Sequence, residues 1–79
     1  MAVNGIEYNL VRGSDVDRDG MYLELTEAES KKCVAEVFYS DRTHDFSITC
    51  FQPHIPLFVI EALIQDAKRL LPPISHGNG

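Results

Sequence analysis

Asp15, Asp17 and Asp19 stand at alternate positions and Gly20 follows them, spelling D-x-D-x-D-G. That spacing opens an EF-hand calcium loop, where oxygen ligands come from positions 1, 3 and 5 and a glycine at 6 permits a sharp turn. The loop also requires ligands at 7 and 9 and a bidentate Glu at 12. Counted from Asp15, position 12 is Thr26, and Glu24 and Glu27 lie near it but not at it. The flanking segments alternate like strands, whereas helices flank an EF-hand. Asp and Gly are strong turn formers, and Asp-Gly is a favoured hairpin pair. The expectation is a solvated hairpin loop without a tightly held ion; calcium binding through Asp15, Asp17 and Asp19 is the alternative.

The remaining residues with chemical potential point away from catalysis. His44 lies among acids in DRTHD, a grouping that suits acid–base work, but no nucleophile is placed beside it. His54, flanked by prolines in QPHIP, reads as part of a helix start. Cys33 and Cys50 have neither C-x-x-C nor C-x-H spacing, so no zinc site is signalled. Alternation puts Cys50 toward the core, where a thiol is inert, and Cys33 nearer an edge. No enzymatic activity and no cofactor are expected.

Twelve acidic residues face seven basic ones in 79 residues, a formal charge of -5. Nucleic acid and anionic membrane surfaces demand the opposite sign, whereas a basic protein partner would be steered inward. The longest apolar run, LFVI, is too short to span a bilayer, and the N-terminus does not read as a signal peptide. A cytoplasmic protein with reduced thiols is expected.

These side chains must be positioned by elements that the pattern outlines. IEYNLVR, residues 6–12, alternates as a strand, and a Gly/Asp loop over 13–20 joins it to a second strand, MYLEL. Residues 26–32 read as a charged turn, although Thr26 with Glu29 also fits a helix capping box. CVAEVFYS and FSITCF are two further strands around DRTHD. A four-residue loop over 41–44 sets Tyr39 opposite Phe46, Val37 opposite Ile48 and Ala35 opposite Cys50, all apolar and on one face.

From Leu57 to Leu71, Ile60, Leu63, Ile64, Ala67, Leu70 and Leu71 fall on one helical stripe, begun at Pro56 and stopped by Pro72 and Pro73. The fold class predicted is α+β: an antiparallel meander of three to four strands with one C-terminal helix on one face (β-β-β-β-α). A single domain over 1–73 and a flexible tail over 74–79 complete the reading. Leu63, Ile64, Val37 and Ile48 are expected to be buried between helix and sheet.

The opposite face of that sheet mixes acids and hydroxyls with Tyr22, Val34, Phe38 and Phe51, and Phe58 points off the helix stripe. Aromatics in such settings are enriched at interfaces. The functional expectation is an acidic protein-interaction module or subunit. It would bind a protein partner through that outer face, where Phe38 and Phe51 should be accessible and adjacent, or it would self-associate.

Overall fold

Each strand of the chain pairs with the strand before it. The computed structural model describes residues 1–72, and the expected tail over 74–79 lies outside the described residues. Strands β1 (Ala2–Val3), β2 (Ile6–Asp15), β3 (Gly20–Glu27), β4 (Cys33–Ser40) and β5 (Phe46–Cys50) form one antiparallel sheet in sequential order. Helix α1 (Leu57–Leu70) follows and packs over β3 and β4. The architecture is α+β, as the pattern predicts, with one more strand.

The additional strand is β1. It turns into β2 through Asn4 and Gly5, whose φ angles of 54° and 79° are the left-handed pair a type I′ hairpin requires. Met1 extends the pairing by accepting the Tyr8 N–H at its carbonyl oxygen. β2 is also longer than expected. It continues through Gly13 and Ser14 to Asp15, so the eight-residue loop shrinks to four. The Tyr22 ring lies where a Cβ on Gly13 would stand, which keeps that strand position small.

Three of the hairpins share one plan. The loops 16–19, 28–32 and 41–45 are short, and each holds a non-glycine residue in the left-handed region at or next to its end: Asp19 (φ 58°), Lys31 (φ 65°) and His44 (φ 61°). Residues 28–31 form a turn rather than a helix, closed by the Lys31 N–H donating to the Glu27 carbonyl. The last of these loops sets the predicted register, with Tyr39, Val37 and Ala35 opposite Phe46, Ile48 and Cys50.

The β3–β4 ladder carries one irregularity. Thr26 pairs with Cys33 and Leu25 with Ala35, so Val34 is an extra residue with no partner in β3. Such a bulge breaks the strict alternation of faces. Val34 is buried at 1% exposure in the same cluster as Leu23, Leu25, Val37 and Tyr39. The outer-face assignment of Val34 is thereby corrected.

The helix presents Val59, Leu63 and Ala67, with Leu71 just beyond its end, to that cluster. The predicted stripe is rotated: Val59 joins the core, and Ile60, Ile64 and Leu70 are only half-buried. Ile48, expected in the core, is 43% exposed. The reason is width. A helix about 10–12 Å across covers roughly two strands spaced ~4.8 Å apart. α1 sits over β3 and β4, so the helix side of β5 lies open, as does part of β2 at Leu10.

Candidate functional site

The acidic loop carries its own counter-ion. The Arg18 guanidinium donates through Nε to the Asp15 carboxylate, and through its two terminal nitrogens to Oε1 and Oε2 of Glu36 at 3.0 and 2.9 Å. The same group lies 4.2 Å above the centre of the Phe38 ring. The Arg18 backbone N–H also donates to Asp15 Oδ1, so the same carboxylate ties the loop backbone three residues on. The side-chain hydrogen bond from Arg18 is the main cause that holds the Asp15 carboxyl below its usual range. Paired with Glu36 and Asp15, the Arg18 guanidinium is more basic than a free one.

Calcium would have to compete with that guanidinium for Asp15. Asp17 and Asp19 are exposed, and the Asp19 carbonyl accepts the Asp41 N–H at 2.8 Å. Among the described residues no three His, Cys, Asp or Glu side chains converge on a point that would hold a metal ion. Of the three aspartates Asp15 is the one paired with Arg18, while Asp17 and Asp19 face solvent.

The proposed outer face is also partly self-satisfied. Tyr22 and Phe38 stand opposite each other across β3 and β4, and both are half-buried. Tyr22 lies over Gly13, and Phe38 fills the space beside Gly20 beneath Arg18. Phe51 is 56% exposed, but its N–H donates to the Val34 carbonyl, whereas Phe38 pairs with Ser47. Phe38 and Phe51 are thus separated along the strands, which corrects the expectation of adjacency. Phe58 is exposed on α1, far around the helix from its buried stripe.

An open apolar surface lies instead at the edge of the sheet. β5 pairs with β4 alone, and no described segment covers its other side. All five of its residues are exposed. Phe46, Ile48 and Cys50 point to the helix side, beside Tyr39, Val37 and Ala35. A groove of about 240 Å³ runs between this strand and α1, lined by Val37, Phe46, Ile48, Ile64 and the Lys68 stem. Leu57, two helical turns before Ile64 on the same flank, is 71% exposed.

The backbone of β5 is poised in a definite phase. The Ser40 N–H donates to the Asp45 carbonyl at one end of the β4–β5 ladder, and the Phe51 N–H to the Val34 carbonyl at the other. Hydrogen-bonded pairs alternate along an antiparallel ladder. Ser47 and Thr49 accordingly direct their backbone groups at β4. Phe46, Ile48 and Cys50 direct theirs outward from the sheet. The residues with free N–H and C=O groups are the same residues that expose apolar side chains. Alternation in FSITC held this information; missing was the knowledge that one helix would stop short of the strand.

The two cysteines exchange their expected roles. Both thiols are free; Cys50 is exposed and Cys33 is half-buried. Burial first, and then the nearby Glu24 and Glu36 carboxylates, pushes the Cys33 thiol above its ordinary pKa. Among the described residues no helix is long and apolar enough to cross a membrane. No protein-family model matches the chain, and searches of curated proteins and of solved structures return no match.

Proposed function

We propose that the chain is a small acidic protein-interaction module that binds along the free edge of β5 and the apolar groove between that strand and α1. One observation carries this reading: β5 is exposed along its whole length, and its outward backbone groups and apolar side chains belong to the same three residues. Proteins usually blunt such an edge with charge, proline or a covering segment. Phe46–Cys50 contains neither charge nor proline. Strand addition supplies main-chain hydrogen bonds, while the groove selects side chains. The outer face is secondary in this reading, because Val34 is buried and Arg18 occupies one side of Phe38. The free thiols of Cys33 and Cys50 fit a reducing, cytoplasmic setting.

The test is site-specific photo-cross-linking in the native host. A benzophenone amino acid at Phe46 is expected to capture protein, and the same group at Val16, an 87% exposed loop position, is expected to capture none. A folded chain that gives no more adduct at Phe46 than at Val16 refutes the proposal.

A further inference from the structure

We infer that the occupant of the β5 edge is a second copy of the chain, joined antiparallel about a two-fold axis at Ile48. This rests on the reading of β5 as the binding surface and goes further by naming the partner. A two-fold interface must be complementary to itself. The outward backbone groups of β5 belong to Phe46, Ile48 and Cys50, a set symmetric about Ile48. In the antiparallel pairing Ile48 meets Ile48 of the second copy, and Phe46 meets Cys50 of the second copy. Each of these pairs exchanges two backbone hydrogen bonds, so no outward N–H or C=O of the strand is left over.

The side chains obey the same symmetry. On the helix side every contact is apolar; on the other side Ser47 meets Thr49 of the second copy, hydroxyl against hydroxyl. No charge occurs between Phe46 and Cys50, so the strand pairing itself juxtaposes no like charges. The axis stands perpendicular to the joined sheet and puts both helices on one face. The Leu57 and Ile64 flanks then turn toward each other over the new strand pair.

Phe46, Ile48 and Leu57 are 39%, 43% and 71% exposed. With large side chains at roughly 200 Å² each, those fractions leave roughly 300 Å² of apolar surface to cover. Ser47, Thr49, Cys50, Phe51, the strand backbone and the Lys68 stem extend the contact toward the ~600–800 Å² per partner at the low end of stable interfaces.

Charge gives the inference a distinguishing sign. Two copies, each at -5, repel at long range. Salt screens that repulsion, with a Debye length of about 8 Å at physiological ionic strength. Self-association must therefore strengthen as salt is added, whereas a basic partner would bind more weakly.

Sedimentation equilibrium and amide hydrogen exchange on the purified full chain test this. A dimer is expected to grow with concentration and with salt, and the amides of Phe46, Ile48 and Cys50 to gain protection in step with it. Ile48→Lys puts like charges face to face at the axis and is expected to abolish the dimer while the amide spectrum stays folded. In a Cys33→Ser, Cys50→Ser background, Ile48→Cys is expected to form a covalent dimer under mild oxidation, and Val16→Cys is not.

A chain that stays monomeric at every concentration and salt overturns the inference, as do equal cross-linking rates for Ile48→Cys and Val16→Cys. Protection of the β5 amides in the monomer also overturns it, by assigning the edge to another part of the same chain. Monomeric chain together with Phe46 photo-adducts to a different protein leaves the interaction module standing and removes only the second copy. Monomeric chain without adducts removes both.

Discussion

At Arg18 one guanidinium meets two carboxylates and an aromatic ring on the open side of the sheet. Because Arg18 donates to Asp15, the folded chain favours the ionised carboxyl and lowers its pKa. The stabilisation is present above the ordinary carboxylate pKa and disappears as pH falls through the lowered folded value. Asp15→Asn keeps the Oδ1 acceptor for the Arg18 backbone N–H but loses the charge. Its urea midpoint is expected to lie below that of the parent at pH 7, with the gap closing toward pH 3. A gap independent of pH would refute the role of the charge. The same pairing predicts that calcium produces no saturable micromolar shift of the Asp15, Asp17, Asp19 and Gly20 amides. Lys31 illustrates a different cost. Its φ of 65° places a side chain in the left-handed region, at roughly 1–2 kcal/mol. Lys31→Gly relieves that strain but loses about 0.5–1 kcal/mol of chain entropy. A net gain of about 0.5 kcal/mol is expected in equilibrium unfolding, and a loss would argue against a strained turn.

The elements were legible because each has a period. Alternation located β2 to β5, and the apolar match across DRTHD fixed the β4–β5 register to the residue. The Asn4-Gly5 pair marks a hairpin as clearly as Asp19-Gly20 does, but β1 has only two residues and shows no alternation to read. Periodicity failed at two places for physical reasons. A bulge inserts Val34 without changing composition, so strict alternation assigns it to the wrong face. Helical spacing gives a broad apolar arc, and its centre depends on how the helix is laid on the sheet. That choice moved the core line to Val59, Leu63 and Ala67. It follows that Leu63→Ala, at 0% exposure, is expected to cost about 2–5 kcal/mol through lost burial and a cavity. Half-buried Ile64→Ala is expected to cost less than about 2 kcal/mol. Equal losses for the two would put the helix in a different rotation. The pairing of Arg18 with Glu36 was not legible, since it joins residues brought together only by the β3–β4 register.

For the fold as a whole, the decisive proportion among the described residues is one helix to five strands. The cover ends before β5, and Cys50 is exposed although its neighbour Ala35 is completely buried. A thiol reagent is therefore expected to modify Cys50 first and Cys33 later, since Cys33 is half-buried and its pKa is raised. Mass spectrometry after limited labelling reads the order directly, and the reverse order would place the helix over β5. Strand order has a further consequence, for the growing polypeptide. Each strand pairs with the one made just before it, so the sheet is complete by Cys50. Its cover is not. Leu23, Leu25 and Val37 wait for Val59, Leu63, Ala67 and Leu71, all of which are made later. During synthesis every strand is thus made before the helix that covers the apolar face of the sheet. The dangerous interval for misassembly begins when β5 emerges and closes when the last turn of α1 docks.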